Sequence, residues 1–324
     1  SFQITCHKNQ KTLKNNGITY PTFFTKAGDI SSNHTLPLQD IFEKTKRKHL
    51  AITKEGRRPS SISESEHLNI NAWINLMKND GAILISGEGI LKMPVPSLKR
   101  LVKELNDNGF LIQPFASVRS PYAFINSALQ NTIKNGSHHS FIGLSLNYPA
   151  IVNSDPNTNK LPSTLALLRK AEKIFEDQIK YYPFKETTRH NQGPVAFILE
   201  EVLGVPLTED INLYTSNESL NNTTTRLINR LNSSKQSKGL FNLRKLRKII
   251  DLHTDDEKFL LTEDEFSIIK QSFDSIKQST NNLLDPSYID ENIRFSDPIQ
   301  QSSIDAVIEK LPAQAKKTIQ DTMT

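Results

Sequence analysis

Three side chains in this sequence stand at positions that suit ion and proton chemistry: Glu88, Arg119 and Ser127. An arginine at the end of a strand can fork its planar guanidinium onto two phosphate oxygens. A serine hydroxyl two turns into the next helix can complete the cradle. The start of that helix favours an anion as well, through its oriented N–H groups. A structural ion pair plus an ordinary helix serine fits the same two residues equally well. Glu88 sits in Gly87-Glu88-Gly89, where flanking glycines allow a sharp turn and close approach of a substrate. A carboxylate there could take a proton from a nucleophilic hydroxyl. A hinge or helix-cap carboxylate without chemistry is the plainer alternative.

These side chains are positioned by one stretch, residues 81–136, which reads as strand, loop, helix, strand, turn, helix. Ala82–Ser86 is a short apolar run. Leu98, Leu101, Val102 and Leu105 repeat at helical spacing, and Gly109 stands where a helix end wants a left-handed residue. Phe110–Val118 is a second strand. Pro121 is placed to open the next helix with Ser120 as its cap, and Gly136 closes it. Two strands joined by one helix make a parallel, right-handed βαβ unit. Ligands of such sheets collect beyond the C-terminal strand ends, here Glu88 and Arg119.

The rest of the chain reads as helices around this unit. Ile4–Lys14 is a helix with neither a preceding strand nor a cap. Leu38, Ile41 and Phe42 mark a short helix, residues 51–65 a polar surface loop, and Ile70, Trp73, Ile74 and Met77 a core-facing stripe. Residues 137–162 form a long loop with His138 and His139, either ligands or polar filler. Leu165, Leu168, Ala171, Phe175 and Ile179 share a helix face, and Ile211–Thr215 is a strand candidate. Leu220, Leu227 and Leu231 lie on one face of a further helix. Thr262 and Glu265 have the spacing of a capping box. Residues 300–320 read as one last helix.

The chain has 324 residues, enough for a large core, and 36% of them are hydrophobic. No apolar run approaches a membrane span. No secretory signal is recognisable at the N-terminus, and the single Cys6 suits a reducing compartment, so a cytoplasmic location is expected. One cysteine also makes a cysteine-based zinc site improbable. Net charge is +5, concentrated in residues 44–58 and 235–248. Such clusters could attract nucleic acid, an anionic membrane, or an anionic cofactor or glycan. Aromatic residues do not interleave with them, so a single-strand nucleic-acid groove is not expected.

The segments SGEGI and VRSPYAFINSALQNTIKNG resemble bacterial sulfotransferase-like proteins that modify cell-surface glycans. NNGITYP at 15–21, Asn33-His34, QGPVAFILEEVLG at 192–204 and NESLN at 217–221 are similar too. In that superfamily an R-x-P-x(5)-S pattern after a strand binds the 3′-phosphate of 3′-phosphoadenosine-5′-phosphosulfate (PAPS). Arg119, Pro121 and Ser127 match it. The resemblance implies a P-loop-type α/β fold with a central parallel sheet. It implies a single domain, with an α/β core over 1–232 and a helical extension over 233–324. Glu88 then falls at the family's catalytic base. His34 and Gln130 are expected to face a glycan acceptor, and no metal is needed. Peripheral contact with membrane-linked glycan follows, and nucleic acid does not. The family also has a phosphate loop of the type G-x-x-K-T-G-T-[TS]-S-x-Q. Ser1-Phe2-Gln3 look like its last residues, so Ser1 is expected beside the cofactor and the loop just before it. A non-catalytic glycan- or partner-binding relative is the alternative, and a P-loop nucleotide kinase a more distant one.

Overall fold

The computed structural model describes residues 2–25, 30–43, 49–53, 70–78, 81–149, 161–176, 178–214, 219–233, 257–288 and 292–323. In chain order the elements begin with α1 (Phe2–Lys8), α2 (Gln10–Asn15), β1 (Ile18–Thr19), β2 (Thr22–Thr25), β3 (Ile30–Ser31) and α3 (Thr35–Phe42). Next are β4 (His49–Thr53), α4 (Ile70–Met77), β5 (Ala82–Ile83), α5 (Val95–Asp107), β6 (Phe115–Val118) and α6 (Pro121–Lys134). They are followed by α7 (Leu165–Phe175), β7 (Lys180–Pro183), α8 (Phe184–Thr187) and α9 (Pro194–Phe197), which runs into a π-helical turn at Ile198–Val202. The last are α10 (Asn222–Ser233), α11 (Glu263–Asn281), α12 (Gln301–Ile308) and α13 (Ala313–Met323). The fold is mixed α/β: small parallel sheets with flanking helices, and helices in its C-terminal part.

Two compact units divide the chain. One comprises Ser1–Val118 with Ala166–Asn217, the other Arg119–Leu165 with Glu218–Thr324. In the first, β1 pairs in parallel with β5 (Ile18 opposite Ala82), and β6 with β7 (Phe115 opposite Lys180). The helices between paired strands make these parallel returns possible. A separate antiparallel sheet has the order β3-β2-β4. One core cluster gathers Phe23, Leu38, Trp73, Met93 and Leu98, and another Cys6, Leu13, Tyr20, Leu84 and Leu199. In the second unit, Tyr122, Ile125 and Leu129 of α6 pack with Phe266, Ile269 and Phe273 of α11. Leu227 and Leu231 of α10 pack with Ile304, Val307 and Ile319.

Three helices end in the same way. α2, α5 and α6 are each followed by Asn-Gly, with Gly17, Gly109 and Gly136 at φ 77, 81 and 91°. Any side chain at that φ is strained, so glycine lets each chain leave its helix. The expected stop signals at Gly109 and Gly136 hold their places.

Several expectations give way to local chemistry. Ile4–Lys14 is two helices that meet at Asn9, whose backbone leaves helical geometry (φ −108°, ψ 24°) and whose side chain donates to the Thr5 carbonyl (2.7 Å). Ile211–Thr215 is no strand among the described residues. Asn212 N–H instead donates to Asn9 Oδ1 (3.0 Å), Asn9 Nδ2 donates to the Asn212 carbonyl (2.9 Å), and Tyr214 N–H donates to Thr5 Oγ1 (3.0 Å). Helix side chains take the place of a strand partner. The last helix is divided in two at Pro312, which has no N–H to continue it. Residues 51–53 of the expected loop belong to β4. The βαβ stretch also has shorter strands than its apolar runs, and the ladders join β5 to β1 and β6 to β7 rather than β5 to β6.

Candidate functional site

Glu88 projects from a turn held by its two glycines. Gly89 N–H donates to Thr35 Oγ1 (3.0 Å), and Thr35 N–H donates to Asn33 Oδ1 (2.9 Å). A methyl group at Gly87 would lie 2.5 Å from Thr35 Oγ1 and 2.8 Å from the Thr35 backbone nitrogen, so the two loops touch where only glycine fits. The Glu88 side chain is exposed and makes no ion pair among the described residues.

His34 is fully buried behind this turn. Its Nε2 lies 2.9 Å from the Pro21 carbonyl, which can only accept, so Nε2 carries the proton. Its Nδ1 accepts from Ser86 N–H (3.1 Å), and its backbone N–H donates to the Ser86 carbonyl (3.0 Å). Both ring nitrogens are therefore occupied by a neutral imidazole. Tyr20 and Phe23 close over the ring, with centroids at 4.5 and 5.2 Å. Burial pushes its pKa down to about 4. His34 braces the segment before Glu88, and neither nitrogen points to a ligand.

Arg119 directly follows β6, and Ser127 lies in the second turn of α6. The Arg119 guanidinium donates to the Ser127 hydroxyl, so the spacing read from the sequence does bring the two together. Both are half-buried. Pro121 opens α6 as expected, and Ser120 holds the N-cap position without a cap hydrogen bond from its hydroxyl. Gln130, on the same helix, is buried and donates from Nε2 to the Leu220 carbonyl (2.8 Å). That bond ties α6 to the start of the α10 segment. Ser1, residues 44–48 and 54–58, and the basic segment 235–248 lie outside the described residues.

One buried charged pair among the described residues was not foreseen as a pair. Arg226 on α10 and Glu265 at the start of α11 form a buried ion pair, with side chains 3% and 4% exposed. Arg226 also donates to Asn222 Oδ1 (2.9 Å) and to the Gly143 carbonyl (2.8 Å). Glu265 accepts from Gly143 N–H (2.8 Å) and, from its place in the capping box, from Thr262 N–H (2.9 Å). The capping box is legible from spacing, but the arginine that doubles its purpose is not. Cys6 is buried, and burial pushes its thiol pKa up, which makes it a core residue rather than a nucleophile.

No group of acids, histidines and cysteines among the described residues could hold a metal ion. No helix among them is long and apolar enough to cross a membrane. No protein-family model matches the chain, and neither curated proteins nor solved structures give a match.

Proposed function

We propose that the chain is a PAPS-dependent sulfotransferase that modifies a hydroxyl of a cell-surface polysaccharide or glycolipid glycan, working from the cytoplasm. The observation carrying this reading is the Arg119–Ser127 hydrogen bond, which joins the two polar ends of the R-x-P-x(5)-S pattern at the start of α6. Because the serine oxygen accepts from arginine, its own O–H proton remains available to donate to a phosphate oxygen. The donor set thus suits the 3′-phosphate of PAPS, and the helix start adds to the attraction. Bound PAPS supplies the sulfuryl group, with a new S–O bond to the acceptor oxygen replacing the S–O bond to phosphate. Glu88, exposed on a turn fixed by Thr35 and His34, takes the acceptor's proton. Arg119 and Ser127 hold the nucleotide. The resemblance also implies a P-loop-type sulfotransferase fold.

Calorimetric titration separates a 3′-phosphate site from general nucleotide binding. Adenosine 3′,5′-bisphosphate should bind at least about tenfold more tightly than adenosine 5′-phosphate, the amount expected of one charge-assisted contact. Arg119→Ala should abolish the difference, and Ser127→Ala reduce it. Equal binding of the two nucleotides, or an Arg119→Ala variant that keeps the preference, rejects the reading. Preference without sulfate transfer to any glycan acceptor moves the chain to the non-catalytic, glycan-binding alternative. The buried, engaged positions of His34 and Gln130 leave a glycan without these two contacts in either reading.

A further inference from the structure

Arg230 lies in the last turn of α10 and is half-buried. Its Nε–H is buried without a hydrogen-bond partner, and the guanidinium pairs with no carboxylate among the described residues. A guanidinium has five N–H donors, and a buried donor left without an acceptor is uncommon. The carbonyls at the end of α10 favour a cation at this place, but they do not satisfy that donor. The Tyr148 ring lies against the group, its centroid 6.0 Å from the guanidinium carbon.

The loop after α6 is clamped to the same turn of α10. Asn232 Nδ2 donates to the Ser137 carbonyl (2.8 Å), and Asn229 Nδ2 donates to the His139 carbonyl (2.9 Å). His139 N–H returns a bond to Asn229 Oδ1 (2.8 Å). His138 is therefore fixed between two anchored residues, with its side chain exposed. The His139 ring is engaged elsewhere, at 2.8 Å from Thr132 Oγ1. The bonds from Asn229 and Asn232 bracket Arg230 and set His138 on that turn, where partial burial and then the Arg230 charge lower its pKa.

We propose that Arg230 and His138, with Tyr148 against the guanidinium, form an oxyanion site for the phosphate or sulfate group of a small ligand. The site is separate in its residues from Arg119 and Ser127, and it does not rest on the sulfuryl-transfer reading. The anion supplies the acceptor that Arg230 Nε lacks, through the fork geometry that guanidinium offers a tetrahedral oxyanion. It also offsets the arginine charge at His138, so binding takes up a proton and tightens as pH falls.

The test follows the His138 ring proton by NMR through a pH titration of the whole chain. Inorganic phosphate and sulfate are the probes, with chloride at matched ionic strength as reference. The His138 midpoint should rise in either probe. Arg230→Gln should raise the midpoint in chloride, remove its response to the probes, and weaken their calorimetric affinity about tenfold or more. A response to phosphate alone identifies a phosphate-group ligand, and an equal response a sulfate-tolerant one. His138→Ala, on an exposed loop position, should keep the fold while losing the pH-dependent part of the affinity. It therefore decides the matter even if Arg230→Gln fails to fold. An unmoved His138 midpoint, full affinity in Arg230→Gln, or an unchanged pH dependence of affinity in His138→Ala overturns the proposal.

Discussion

Arg226 and Arg230 stand one turn apart on the same helix, and their surroundings are opposite. Arg226 is buried and surrounded by acceptors: two carboxylate oxygens, two backbone carbonyls and an asparagine oxygen. Arg230 is half-buried beside an aromatic ring and has no acceptor among the described residues. The acids divide in the same way. Glu265 is enclosed and fully engaged, whereas Glu88 is exposed on its turn. The difference is one of saturation. A buried charge with every lone pair and proton matched holds elements together, whereas a charge left with open valences is available to a ligand.

Breaking the saturated pair should have the largest effect. Removing one partner strands the other charge, so Arg226→Met or Glu265→Gln should each cost about 3–5 kcal/mol, read as a shift in the urea midpoint. The double variant Arg226→Met/Glu265→Leu should be less damaging than the sum of the singles. Additive losses would mean that the two residues do not act as a unit.

His34 sharpens the contrast through pH. Its folded pKa is about 4 against an ordinary 6.5, so between these values the unfolded chain binds the extra proton. Its contribution is complete above about pH 6.5 and is lost as pH falls toward 4, with an upper limit of about 3 kcal/mol. Urea titrations across this window should show stability falling with acid, and His34→Gln should flatten that slope. An unchanged slope in the variant would assign acid sensitivity to other groups.

The smallest stability effects should come from the Glu88 turn, where two adjacent substitutions have opposite outcomes. Gly87→Ala forces a methyl group against Thr35 and should cost about 1–3 kcal/mol. Glu88→Gln should change stability by less than about 0.5 kcal/mol while abolishing sulfuryl transfer in a glycan sulfation assay. A stability loss at Glu88 equal to that at Gly87 would make the carboxylate structural.

Much of this arrangement was legible in the sequence, because local rules control it. The helix ends at Gly109 and Gly136, the Thr262–Glu265 capping box and the Arg119–Ser127 spacing depend on residues a few positions apart. What was hidden depends on distant partners. Nothing near Arg226 announces Glu265, and nothing near Ile211–Leu213 announces that Asn9 will occupy its backbone. His34 and Gln130 show a second limit. A polar residue type reveals that it will make hydrogen bonds, but not whether those bonds point to a ligand or into the fold.

The three Asn-Gly helix ends also bear on how the molecule ages. An asparagine before glycine is prone to deamidate, because the glycine nitrogen can attack the side-chain amide and close a succinimide ring. Here Gly17, Gly109 and Gly136 each donate that N–H to a carbonyl of the preceding helix, that of Lys14, Asn106 and Ile133 at 3.0, 2.9 and 3.0 Å. The residues that end the helices would be weak points in a loose chain, and the folded helix ends restrain the nitrogens needed for that damage. Chemical shelf life at Asn16, Asn108 and Asn135 is thus set by how often each helix end frays.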